Sequence, residues 1–81
     1  MEKYNLYPAS STSLANELKK VMTDYEEKQI TSEELEDTIL ALQNNCGPLF
    51  YKEESIAPII KKIIGLKRVR VIELILNKKN N

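Results

Sequence analysis

Apolar residues recur along the chain mostly at the three- and four-residue spacing of amphipathic helices. The first such stretch follows a Ser–Thr–Ser cluster at residues 11–13, whose hydroxyls can accept hydrogen bonds from the free amides at a helix start. We therefore predict a first helix that begins in this cluster and ends near Lys28 or Gln29. Its apolar face is formed by large side chains: Leu14, Leu18, Val21, Met22 and Tyr25.

The start of a second helix has the clearest local pattern in the sequence. Thr31 and Glu34 have the spacing of a capping box, in which each side chain accepts a hydrogen bond from the other residue's backbone amide. Ile30 and Leu35 occupy the flanking apolar positions. The Gly–Pro pair at 47–48 predicts the end of this helix, because glycine tolerates a left-handed cap and proline cannot continue the helix.

A third helix is predicted to begin near Ser55, with Pro58 in its first turn, and to end at Gly65. A last helix follows from about residue 66 to residue 77, and residues 78–81 form a fraying tail. Residues 68–71 alternate with period two and are rich in β-branched side chains, so a strand over residues 68–75 is the alternative. We favour the helix because a lone strand needs a partner strand, and the rest of the chain offers none.

The complete pattern predicts an all-α fold. Residues 1–12 form an irregular arm, whose aromatic side chains Tyr4 and Tyr7 are expected to fold back onto the body. Residues 13–77 form a single small domain of three to four helices.

The composition argues against an enzyme. Histidine is absent, which removes the commonest general base and metal ligand. Cys46 is the only cysteine, and two glycines are too few for a phosphate-binding loop. We therefore expect no catalytic residues, no cofactor and no metal. Without a membrane-spanning apolar run or the apolar core of a signal peptide, we expect a cytoplasmic protein that does not insert into membranes.

The net charge of zero conceals two oppositely charged halves. Residues 1–47 contain nine acidic and four basic side chains, a net charge of −5. Residues 48–81 contain three acidic and eight basic side chains, a net charge of +5. A basic half can bind an anionic partner, or the two halves can complement each other within one fold.

The segment around Gly65 is a candidate nucleic-acid site. Two short helices joined at a glycine resemble a helix–turn–helix unit, in which the second helix enters the major groove of DNA. The alternative is an ordinary helical hairpin with solvated charges. The candidate contacts to nucleic acid are the basic side chains on both sides of the glycine: Lys61, Lys62, Lys67, Arg68 and Arg70.

The last helix has more apolar side chains than one face of a helix in a small domain needs. The surplus predicts a surface that binds another protein or a second copy of this chain. The candidate interface residues are Val71, Ile72, Ile75 and Leu76.

Two short motifs resemble a family of small proteins from Firmicutes and their mobile elements. The first motif is the Ile-Thr-Ser-Glu-Glu-Leu sequence at residues 30–35. The second begins with Gly-Leu-Lys-Arg at residues 65–68 and ends with Ile75. The resemblance implies a bacterial, phage- or plasmid-linked cytoplasmic protein. From the apolar surplus of the last helix and the +5 charge of residues 48–81, we expect a non-catalytic adaptor or regulator that acts through protein–protein interaction or self-association, with a nucleic-acid-binding regulator as the alternative.

Overall fold

The computed structural model describes residues 4–52 and 55–80, and this part of the chain is helical apart from short connections. The helices are α1 (Ser11–Glu26), α2 (Ser32–Phe50), α3 (Pro58–Ile64) and α4 (Leu66–Asn80). Between α2 and α3, the two-residue strands β1 (Tyr51–Lys52) and β2 (Ser55–Ile56) pair antiparallel, with Tyr51 opposite Ile56. The predicted all-α fold of three to four helices is confirmed, with four helices in the described residues.

Helix α1 begins at Ser11, inside the predicted cluster, but its N-cap is the residue before the cluster. Ser10 is the N-cap, and its hydroxyl accepts a hydrogen bond from the amide of Ser13 at 3.1 Å. The helix ends at Glu26, before the predicted end, because Lys28 adopts a positive φ of 61°. The amides of Lys28 and Gln29 donate to carbonyls in the last turn, which is the hydrogen-bond pattern of a Schellman cap.

The predicted capping box at the start of α2 is confirmed. The Thr31 amide donates to Glu34 Oε1 at 2.9 Å, and the Glu34 amide donates to Thr31 Oγ1 at 3.1 Å. Leu35 is buried, and Ile30 packs against the edge of the core.

The predicted end of α2 at the Gly–Pro pair is wrong. The helix bends at Cys46, whose φ of −132° and ψ of 33° are not helical, and a further turn then runs to Phe50. Pro48 therefore stands in the first turn of this new segment, where its missing amide breaks no hydrogen bond. Gly47 precedes Pro48 and has no Cβ to collide with the proline ring, so the turn stays helical without a left-handed glycine.

Helix α3 begins at Pro58, three residues after the predicted start at Ser55. Ser55 and Ile56 instead pair with β1, and the Ala57 amide donates to the Phe50 carbonyl at 2.9 Å. The proline favours a helix start at its own position because its φ is already helical and its nitrogen needs no partner.

Gly65 separates α3 from α4 as the sequence predicts. Its φ of 89° and ψ of 157° lie in a region that is open almost only to glycine. Its amide donates to the Lys61 carbonyl, and its own carbonyl accepts from the Val69 amide at 3.1 Å, so this residue closes one helix and opens the next. Residues 68–75 are helical and not a strand, and α4 continues to Asn80, beyond the predicted end.

The core lies where α1 and α3 pack together and α2 and α4 cover them. Phe50, Leu14, Leu18 and Ile60 are fully buried at its centre. Tyr25, predicted to lie on the buried face of α1, is instead 36% exposed.

The N-terminal arm folds back onto the helices. The Tyr4 hydroxyl donates to Asp24 Oδ2 at 2.6 Å, and its ring is buried. The Asn45 side chain donates to the Leu6 carbonyl at 2.9 Å, which fixes the arm to α2. Tyr7, in contrast, points away from the core and is 72% exposed. The predicted contact of the arm with the body is confirmed for Tyr4 and not for Tyr7.

Candidate protein interface on the fourth helix

The buried side of α4 accounts for most of its apolar side chains. Ile72, Ile75 and Leu76 are buried in the core, and Val71 is partly buried against it. These were the four residues that the sequence suggested as a protein interface. In this fold their surface is covered by α2 and α3, so the apolar surplus of α4 stabilises the domain itself.

The opposite side of α4 carries two exposed leucines. Leu66 and Leu74 are 68% and 69% exposed and lie two turns apart, about 12 Å along the helix. Successive residues of a helix are rotated by about 100° around its axis. The exposed positions of α4 therefore fall within an arc of about 120° around the axis, centred on Arg70. We call this surface the α4 outer face; its members are Leu66, Lys67, Arg70, Glu73, Leu74 and Asn77.

Helical periodicity could have identified this face. Arg70 lies one turn from each exposed leucine, whereas Val69, Ile72 and Leu76 recur at the three- and four-residue spacing of the buried stripe. The sequence-based assignment places Leu66 with Val69 and Ile72 on one face and Leu74 on another, so it does not bring the two exposed leucines together.

Arg68 is the one candidate nucleic-acid residue with a strong internal partner. Its Nε donates to Glu26 Oε2 at 2.8 Å, and its Nη2 donates to Glu26 Oε1 at 2.6 Å. These hydrogen bonds from Arg68 lower the pKa of the Glu26 carboxyl and raise the pKa of the Arg68 guanidinium. The pair joins the start of α4 to the end of α1, so the Arg68 guanidinium stabilises the fold and is occupied by an internal partner.

The other candidate basic residues remain available. Lys62, Lys67 and Arg70 are exposed, and Lys61 is half-buried. Within the described ranges, none of these four side chains forms an ion pair. Four basic side chains without an ion-pair partner among the described residues therefore flank Gly65. Two lie in the last turn of α3 and two in the first turns of α4.

Shallow grooves border the α4 outer face. One of about 520 Å³ is lined by Arg70, Glu73, Leu74 and Asn77. A second, of about 130 Å³, shares Glu73 and Asn77 and reaches Tyr51 beside the strand pair. Both grooves are open to solvent, which suits contact with a large partner surface better than enclosure of a small molecule.

The remaining reactive groups have structural roles. Cys46 is buried at the bend of α2 with its sulfur 3.7 Å from the Pro8 carbonyl oxygen, and burial raises the pKa of this thiol. The carboxylate of Glu34 completes a helix cap. In residues 4–52 and 55–80, no cluster of cysteine, aspartate or glutamate side chains is arranged to hold a metal ion. None of the helices in these ranges combines the length and the apolar character that crossing a bilayer requires.

These features define a small four-helix protein whose last helix presents a basic face with exposed leucines. The chain belongs to a family described as "Conserved hypothetical protein", whose family model matches residues 5–77. The resemblance to a family of small proteins is thereby confirmed at this level. No curated protein and no solved structure matches the chain.

Proposed function

We propose that this protein is a non-catalytic adaptor or regulator that binds another protein through the α4 outer face. The observation that carries the proposal is the exposure of Leu66 and Leu74 on one helical face, while the remaining apolar side chains of α4 are at least partly buried. Exposed leucines spaced two turns apart are typical of a helix that packs against a partner. Lys67 and Arg70 between them add charge that orients an approaching surface.

The non-catalytic part of the proposal is supported by the sequence and by the placement of the ionisable groups. The chain contains no histidine, and its single thiol is buried with a raised pKa. A nucleophile needs an accessible group, and the thiol of Cys46 is buried.

A photoreactive amino acid placed at position 74 tests the proposed interface in cells that express the protein. We expect covalent protein adducts from position 74 and none from position 16, because Asn16 is an exposed residue on α1, outside the α4 outer face. Placing the photoreactive group at position 66 instead tests a second position on the same face. Adducts from position 66 should disappear when Leu74→Asp is also introduced, and equal adducts from positions 16 and 74 would contradict the proposal.

Nucleic-acid binding is the second candidate function. It is favoured by the four uncompensated basic residues around Gly65, which have the placement expected for phosphate contacts. Fluorescence anisotropy with a labelled random DNA duplex tests it: binding that weakens steeply with salt would support it, and no binding at low salt would exclude it. Arg68 should contribute little to such binding, since Glu26 holds its guanidinium.

The motif resemblance supports a finer proposal about origin and location. We propose a bacterial cytoplasmic protein that is linked to phage or plasmid genes, on the basis of residues 30–35 and the segment from Gly65 to Ile75. The genes that flank its coding sequence test this proposal: phage or plasmid genes should lie beside it.

A further inference from the structure

The exposed side of α2 complements the α4 outer face in charge and spacing. Glu33 and Asp37 lie one turn apart on this side and are exposed, as is Asn44. Leu40, one turn after Asp37, is half-buried. These positions lie opposite the buried stripe of Leu35, Ile39 and Leu42. We call this surface, formed by Glu33, Asp37, Leu40 and Asn44, the α2 outer face.

We propose that the partner of the α4 outer face is a second copy of this chain, which binds through its α2 outer face. This inference rests on the proposed function and names its partner. The α4 outer face presents two bases and one acid, Glu73, and the α2 outer face presents two acids, so contact between two copies brings opposite net charges together. The chain has no net charge, so no overall repulsion keeps the copies apart.

The spacing of the two faces fits a parallel pair of helices. From Lys67 to Leu74 and from Glu33 to Leu40 the separation is seven residues, about two helical turns. Alignment of the two series places Glu33 of the second copy level with Lys67, Asp37 level with Arg70, and Leu40 level with Leu74. Each helix therefore combines a three-residue and a four-residue step, the spacing found in helix pairs that cross at about 20°.

The two faces of one molecule are different surfaces, so the contact is heterologous. Each copy can bind one neighbour through its α4 outer face and another through its α2 outer face. Repetition of this contact produces a ring or an open chain of copies. The aligned residues are far fewer than the roughly 20 residues a side of a standard stable interface, so the association should be weak. It should also weaken with salt, because its charges are exposed.

Charge reversal on each face, followed by mixing, tests the inference. Sedimentation equilibrium of the wild-type protein at low salt should show reversible self-association at a concentration of about 1 mM. Lys67→Glu/Arg70→Glu places acids on both faces, and Glu33→Lys/Asp37→Lys places bases on both. Each variant alone should associate about tenfold more weakly or not at all. An equimolar mixture should recover the association, because each reversed face then meets its complement.

The control is Lys19→Glu/Lys20→Glu, which makes the same charge change on exposed positions of α1 and should leave self-association unchanged. Circular dichroism melts establish that each variant is folded. A wild-type protein that stays monomeric, or a mixture that fails to recover association, would overturn the inference. In that case, adducts from position 74 with proteins other than this chain would leave the proposed function standing, whereas no adducts would reject both.

Discussion

Arg68 and Glu26 lie 42 residues apart in the sequence and form a two-pronged ion pair that joins the first turn of α4 to the last turn of α1. Both hydrogen bonds are shorter than 3 Å, and the Arg68 side chain is only 23% exposed. The planar guanidinium matches the two carboxylate oxygens, a geometry that lysine cannot reproduce. The pair holds the start of α4 against the end of α1.

This pair should make part of the stability depend on pH. Hydrogen bonds from Arg68 lower the pKa of Glu26 in the folded state, so the stabilisation is present above the ordinary glutamate pKa of about 4.3 and is lost as the pH falls through the lowered value. Because Glu26 is half exposed, we expect Glu26→Gln to cost only about 0.5 kcal/mol at pH 7. Urea unfolding should show this difference at pH 7 and none near pH 2. A difference that persists in acid would contradict the assignment.

The left-handed residue that ends α1 offers a stabilising substitution. Lys28 has a φ of 61°, which costs roughly 1 kcal/mol for a residue with a Cβ. Lys28→Gly should therefore raise the free energy of unfolding by about 0.5–1 kcal/mol, even though glycine is more flexible in the unfolded chain. Lys28→Ala is the matched control, since it removes the same charge and keeps the Cβ, and it should bring no gain. Chemical denaturation of the three proteins measures the effect.

Local patterns predicted two features of the fold that short-range interactions decide. The Thr31–Glu34 capping box and the Gly65 turn each depend on residues within four positions of each other, and both were found as predicted. The end of α2 was missed because Pro48 acts as a helix breaker or as a helix starter according to the conformation of the residues just before it. The bend at Cys46 decides between these two roles.

The candidate site was less predictable because exposure is a property of the whole fold. The charge of Arg68 is evident in the sequence, but its partner Glu26 lies on another helix, and no local pattern connects them. Likewise Leu74 and Ile75 are neighbours of similar hydrophobicity, yet one is 69% exposed and the other 8%. Helical spacing places the two on different sides of α4, and the packing of α4 against α2 and α3 decides which side is buried.

The backbone of Gly65 predicts a penalty for any L-amino acid at that position. No heavy atom beyond its chain neighbours would lie within 4 Å of an added Cβ, so the cost of Gly65→Ala comes from the φ of 89° and not from a collision. We expect a loss of about 1–3 kcal/mol in the free energy of unfolding. In protein made by chemical synthesis, D-alanine at this position adds the same methyl group and accepts positive φ, so it should cost far less. Equal losses for both substitutions would point to steric contact and contradict the backbone explanation.

Alanine substitutions on the two sides of α4 should separate the residues that hold the fold from those that can bind a partner. Ile72 is 1% exposed, so Ile72→Ala leaves a cavity and should lower the free energy of unfolding by about 2–4 kcal/mol. Leu74 is 69% exposed, and Leu74→Ala should change the free energy of unfolding by less than about 0.5 kcal/mol. Urea denaturation of dilute protein, where copies do not associate, measures both values. A large loss for Leu74→Ala under these conditions would place this residue inside the folded monomer, and it would remove the exposed leucine on which the proposed interface depends.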